Sequence, residues 1–287
     1  MSLSNHVYLA CLWEATISKP GNVHPDAAFE DLCYDDFVRS AECLAPVLGN
    51  PTDQPVGQLI LHAAQATQKA VGKNTNLGII LVLTPLVVSA RNYCSVAEVL
   101  QKLNVQDAVD AYKAIRLLEP GGVGKVDEHD VTQIPTISLL EAMHHARDRD
   151  LLAKAYCTRY HDVFEVLLPF FEAKYHWFSR IWNNPLFFRA VLYRAVQATF
   201  LHGIATLGET LIRRKCGTDI ESEAQSRAKE ILDAGWPETR AGLALYIQYD
   251  AWLRSDGHRR NPGTMADLMA AVLFLALEKG VIPSQPP

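Results

Sequence analysis

What this sequence lacks narrows it before any motif is read. Only 21% of its 287 residues are charged, and the net charge is −5. A chain so balanced has no basic field with which to grip nucleic acid. Its six cysteines, Cys11, Cys33, Cys43, Cys94, Cys157 and Cys216, form no CxxC pair and no regular framework. Scattered through apolar segments, they read as buried free thiols of a reducing compartment, and a cytoplasmic location is expected. The longest apolar run, "LGIILVLTPLVVSA" at 77–90, carries Pro85 and is too short to span a membrane; it reads as a buried core helix. Polar residues follow Met1, so no signal peptide is expected. Strand-like alternation, internal repeats and long Ser/Gly linkers are all missing.

What remains is helical period and a 49% apolar content, enough for a sizeable core. Phe37, Ala41, Leu44 and Leu48 form one stripe, and Leu59, Ala63, Ala66 and Ala70 another. Segments 77–90, 95–103, 106–118, 136–147, 150–173, 186–215, 219–234, 238–254 and 265–278 continue the pattern. The expectation is an all-α fold: one domain over 1–287, a multi-helix bundle with a central buried helix.

Polar residues concentrate in the breaks between these helices. In "ISKPGNVHPD" (17–26) a helix must stop near Lys19, because Pro20 disfavours a helical residue before it and Gly21 frees the backbone. Glu14 lies about a turn upstream, and Lys19, Asn22 and His24 crowd the break. "VGKNTNLGI" (71–79) sets Lys73, Asn74, Thr75 and Asn76 before the apolar helix, with Thr75 or Asn76 as the expected cap and Gly78 in the first turn. Free N–H groups there favour phosphate. Asp36 and Ser40, four residues apart, border an apolar stripe, an awkward place for a carboxylate unless it lines a cavity. "EPGGVGKVDEHDV" (119–131) combines a glycine turn with Asp127, Glu128 and Asp130, oxygen ligands suited to Mg²⁺. In "ATLGETLIRRKCG" (205–217), Glu209 and Arg213 are spaced as a helical pair and Lys215 closes the segment; "NPGTMADLM" (261–269) reads as a helix start with Thr264 as cap and Asp267 three residues on. Taken locally, each is explained as well by capping or by a solvated loop as by a ligand. The His-Asp pairs at 129–130 and 161–162 lack the further His and Asp positions a metal phosphohydrolase needs.

In shared order, the breaks resemble the triphosphoribosyl-dephospho-CoA synthase family. That family shows a Glu, then "PKPGLV", "D…F..S", "GVNTHKG", "DT…RGG" and "SPGGSADLLA". This chain has Glu14, "SKPGNV", Asp36 to Ser40, "GKNTNLG" at 72–78, Glu209-Thr210 with "KCG" at 215–217, and "NPGTMADLMA" at 261–270. The matches run from residue 14 to residue 270. The departures are Asn76-Leu77 for His-Lys, Glu209 for Asp, Cys216 for the first Gly of "RGG", and a 121–131 loop without "GARGEA", closer to the archaeal-type branch.

The resemblance implies an all-helical transferase that moves the triphosphoribosyl group of ATP to the 2′-hydroxyl of 3′-dephospho-CoA and expels adenine, with ATP as substrate and Mg²⁺ as its ion. Under it, Asp36 is the expected base or oxocarbenium stabiliser, with Glu14 and His24 as further catalytic candidates. Lys19, Gly21, Asn22, Ser40, Lys73, Asn74, Thr75, Asn76, Gly78 and Lys215 would hold the nucleotide, and Glu209, Asp267, Asp127 and Asp130 the metal. The expected partners are small molecules, not nucleic acid or membrane, with a homodimer as the assembly. The alternatives are a related ATP-dependent transferase making another coenzyme, such as a pterin or furan one-carbon carrier, and a non-catalytic helical nucleotide binder.

Overall fold

A computed structural model describes residues 2–50, 52–119, 130–182 and 184–284. Among the described residues there is no strand, only an isolated bridge between His24 and Ala27, and the fold is all-α. No described helix is long and apolar enough to cross a membrane. The chain forms two compact units, residues 1–13 with 35–162, and residues 14–34 with 163–287.

The first unit holds most of α1 (Leu3–Thr16), α2 (Tyr34–Gly49), α3 (Val56–Val71), α4 (Leu77–Arg91), α5 (Val96–Gln101), α6 (Val105–Leu118), α7 (Leu139–Ala146) and α8 (Leu151–Cys157). Helix α4 is its buried centre, as its sequence requires: every residue from Ile79 to Val87 is buried. It packs against α3, α5, α6 and α8. Helices α3 and α6 approach closely at Gly57, where a Cβ would lie 2.3 Å from the Asp107 Cα. The Asp107 carboxylate accepts the Asn104 N–H (2.9 Å) within its own capping box and the Gly57 N–H (2.8 Å) of α3.

Pro85 gives α4 a defect that the unit repairs. Proline has no N–H to offer the carbonyl four residues back, and its ring crowds that turn. The Leu81 carbonyl takes the Tyr156 hydroxyl instead (2.7 Å), and the Val82 carbonyl takes that of Tyr160 (3.0 Å). Tyr160 can reach because the chain turns sharply after α8, with Arg159 and Tyr160 at φ 55° and 62°. The continuous helix expected over 150–173 is therefore broken: α8 ends at Cys157, and a π-helical turn over Asp162–Leu167 leads into the second unit.

The second unit contains α9 (Leu168–Ile181), a 3₁₀ turn (Pro185–Phe187), α10 (Phe188–Leu207), α11 (Thr210–Cys216), α12 (Thr218–Asp233), α13 (Arg240–Arg254) and α14 (Gly263–Glu278). The helix expected over 186–215 is two helices, because Gly208 adopts φ 79° and ends α10. Helix α14 is buried from Thr264 to Leu277 apart from Asp267 and Leu275, and it packs on α9, α10 and α11.

Tyr156→Phe strands the Leu81 carbonyl in the core without changing side-chain shape. It is expected to lower unfolding stability by about 1–3 kcal/mol, read as a fall in the urea midpoint at unchanged slope.

Candidate functional site

In the first unit the predicted residues around α2 and the start of α4 do meet. Asp36 lies in the first turn of α2, where a helix favours negative charge, and its Oδ2 is 3.1 Å from the Lys73 Nζ. The Asp36 side chain is 11% exposed and that of Lys73 46%, so the cation faces outward from a nearly buried anion. Lys73 follows Gly72, which ends α3 in the left-handed region at φ 73°. The Ser40 hydroxyl donates to the Asp36 carbonyl (2.7 Å) and shares a short hydrogen bond with the Thr75 hydroxyl.

The cap of α4 differs from expectation. Neither Thr75 nor Asn76 caps it through a side chain; the Asn74 Oδ1 accepts the Leu77 N–H at 3.2 Å. Asn76 is buried and its Oδ1 accepts the Thr67 hydroxyl at 3.1 Å. Gly78 lies partly exposed in the first turn of the helix.

In the second unit the break after α1 is a tight turn. The Asn22 N–H donates to the Lys19 carbonyl (3.1 Å), with Pro20 and then Gly21 at φ 74° between them, the residue order of a type II turn. A Cβ on Gly21 would also lie 2.9 Å from Leu253 and from Pro262. Asp250 and Arg254, one turn apart on α13, hold this turn from outside. The Asp250 Oδ1 accepts the Gly21 N–H (2.7 Å), and the Arg254 Nη2 donates to the Asn22 carbonyl (2.6 Å). Gln197 and Tyr246 both donate to the Ser18 carbonyl.

Lys19 corrects its expected role as a phosphate ligand. Its side chain is 0% exposed, and its Nζ is bonded to the Glu14 carboxylate (3.0 Å), the Ile17 carbonyl (3.1 Å) and the Glu14 carbonyl. The ammonium closes the C-terminus of α1, and Glu14 is its counter-ion. Gly21 and Asn22 are likewise buried within the turn. His24, half-buried, lies two residues past it; its Nδ1 accepts the Asp26 N–H at 3.3 Å. Burial, and then the Arg254 guanidinium, hold its pKa below the usual value, so the ring is neutral at pH 7 and keeps Nε2 as a donor.

Glu209 proves to be the cap of α11 rather than an interior partner of Arg213. Its Oε2 accepts the Ile212 N–H (2.7 Å), and its Oε1 accepts the Met265 N–H (3.2 Å) in the first turn of α14. Thr264, expected to cap α14, lies inside it, and its hydroxyl meets that of Thr210. Burial pushes the Glu209 carboxyl up to about 7, against the opposing pull of these N–H bonds. Arg213 reaches Glu221 at 3.4 Å. Lys215 is half-buried and donates to the Asn261 Oδ1 at 3.2 Å; burial holds its pKa below the usual lysine value.

Of the carboxylates expected to hold Mg²⁺, those among the described residues do not form a ligand set. Among the described residues no three His, Cys, Asp or Glu side chains group as a metal site. Both Glu209 oxygens accept backbone N–H groups, and the Asp130 Oδ1 accepts the N–H (2.9 Å) and hydroxyl (2.7 Å) of Thr132. Asp267 is partly exposed on α14, and Asp127 lies outside the described residues.

A family model described as ATP:dephospho-CoA triphosphoribosyl transferase matches residues 1–284. The chain belongs to that family. It is a transferase, and the activity that goes with the family is transfer of a triphosphoribosyl group from ATP to dephospho-CoA. A solved chain from Archaeoglobus fulgidus, whose proposed role is triphosphoribosyl-dephospho-CoA synthase, is similar in fold. Its TM-score is 0.62 at 21% identity, over 86% of this chain and 99% of that one. No curated protein matches the transferase.

Sequence reading missed Asp250, Arg254, Gln197, Thr67 and Asn261. Asp250 and Arg254 do carry a signal, the i,i+4 spacing of an ordinary surface pair, and only the tertiary fold turns them toward the Pro-Gly turn.

The raised Glu209 pKa fixes a pH dependence. Between about 4.5, the ordinary value for a glutamate, and about 7 the folded protein binds a proton that the unfolded chain releases, so stability falls as pH rises through that window. The loss is roughly 3 kcal/mol. Glu209→Gln keeps one acceptor and turns an N–H donor against the other. Denaturant titrations are expected to place the variant below wild type by about 1–3 kcal/mol at pH 5, with the gap closing toward pH 7.

Proposed function

We propose that this chain uses Asp36 and Lys73 as the working pair of triphosphoribosyl transfer. The observation that carries the reading is their ion pair beside the start of α4: a nearly buried carboxylate covered by a half-exposed ammonium. In the reaction the bond between ribose C1′ and N9 of adenine breaks, and adenine leaves with the electron pair and gains a proton. The acceptor hydroxyl oxygen bonds to C1′ and loses its proton. A phosphate drawn to Lys73 uncovers the Asp36 carboxylate, which then faces the positive charge developing on the ribose or takes the hydroxyl proton.

Asn74, Thr75 and Gly78 belong to the same phosphate-holding helix start, with Ser40 fixing Thr75. In the second unit, considered by itself, Lys215 replaces Lys19 as the candidate cation, and the His24 Nε2 is a hydrogen-bond donor rather than a proton acceptor. Glu14 serves by neutralising Lys19. We assign Mg²⁺ to the incoming triphosphate instead of a protein cage. The six free thiols suit a cytoplasmic enzyme.

Incubation with ATP, Mg²⁺ and 3′-dephospho-CoA is expected to release free adenine, read by chromatography. Asp36→Asn keeps an acceptor for Lys73 but cannot take a proton; it should cut adenine release by at least about 10²-fold while ATP binding stays within a few-fold. Lys73→Ala should chiefly weaken ATP binding. Adenine release with another acceptor and none with dephospho-CoA would transfer the reading to a different coenzyme. ATP binding without release would sink the catalytic assignment.

A further inference from the structure

Asn76 occupies the N-cap position of α4, yet its side chain caps nothing. Asn74 meets the Leu77 N–H in its place. The Asn76 Oδ1 is taken by the Thr67 hydroxyl, and its Nδ2 has no hydrogen-bond partner although the residue is only 4% exposed. A buried amide donor left unmet is rare in a folded protein and opposes folding. Local structure gives no return for it, since a simple cap at this position would use the side-chain oxygen on the helix.

The surroundings say what would meet it. The missing partner must be a hydrogen-bond acceptor. The first turn of α4 presents backbone N–H groups and the positive end of a 15-residue helix. Lys73, three residues earlier, adds a half-exposed ammonium. Donors and positive charge together select an anionic, acceptor-only group carrying several oxygens, which is the chemistry of a phosphate.

We propose that Asn76 is a specificity-determining substrate contact whose Nδ2 donates to a phosphate oxygen of the nucleotide at the start of α4. This rests on the nucleotide-transferase reading above. Binding exchanges an unmet donor for a charge-assisted hydrogen bond. The group that weakens the empty protein therefore tightens the complex.

The test measures stability and affinity together, with inorganic tripolyphosphate and ATP as probes. Asn76→Asp keeps the bond from Thr67 and replaces the orphan donor with an acceptor that can serve a first-turn N–H. Its negative charge also suits a helix N-terminus. The empty variant should melt at a higher temperature than wild type, while calorimetry should show tripolyphosphate and ATP binding weakened about ten- to hundredfold. Asn76→Ala adds no charge and should weaken tripolyphosphate about tenfold. A purely structural role predicts the reverse coupling, in which a variant that stabilises the fold binds as well or better. If either variant binds tripolyphosphate as tightly as wild type, the Asn76 assignment is overturned and the nucleotide reading stands. If wild type binds neither probe, both fall.

Discussion

Glu209 gives one carboxylate oxygen to the N–H of Ile212 and the other to that of Met265, so a single side chain closes the first turns of α11 and α14. Each helix begins with N–H groups that no turn of its own can satisfy. Burying two such starts side by side requires an acceptor with two faces, and a carboxylate has them. The cost is a charge held out of water, visible in a pKa raised to about 7. Asp107 solves the same problem in the first unit, joining the start of α6 to the start of α3. The glycine at 57 is what allows the backbones close enough for that bond.

The same logic governs the less regular backbone. Pro85 leaves a carbonyl without its N–H inside the most buried helix of the first unit, and two tyrosines, one in α8 and one just beyond it, bond to the carbonyls at that turn. Thr16 ends α1, and a buried lysine covers carbonyls at and beyond that end. In each case the task of a polar side chain is to complete a backbone that the sequence has interrupted. What sets the Asp36–Lys73 pair apart is exposure: its cation faces outward, whereas that of Lys19 is sealed.

The period of apolar residues sufficed for α2, α3, α4 and α14, because each buries a stripe or a whole surface. It failed at 150–173 and 186–215, where the helical pattern runs on through Tyr160 and Gly208 although the backbone turns there. Those turns are set by tertiary demands: a tyrosine hydroxyl owed to α4, and a cap shared with α14. The site was legible in the same uneven way. Asp36, Ser40, Lys73 and Thr75 do assemble, since the stripe and the loop order pointed to them. Lys19 was misread because its three acceptors include two backbone carbonyls that no spacing rule reveals. Asp250 and Arg254 were passed over for the same reason in reverse.

The turn at Lys19–Asn22 has a consequence for how the chain is made. Its bonds from Asp250 and Arg254 span 229 and 232 residues. A ribosome adding roughly 5–20 residues per second delivers the whole first unit before either partner of that turn exists. The first unit is complete in sequence by residue 162, while residues 14–34 wait for a unit whose remainder follows it. Closing so long a loop is entropically costly, though the cost grows only slowly with length. During synthesis the segment that begins the second unit is therefore a tether without its anchor: its lysine and glutamate are near enough in sequence to pair at once, but the turn they flank gains its bonds to α13 only when the last helices arrive.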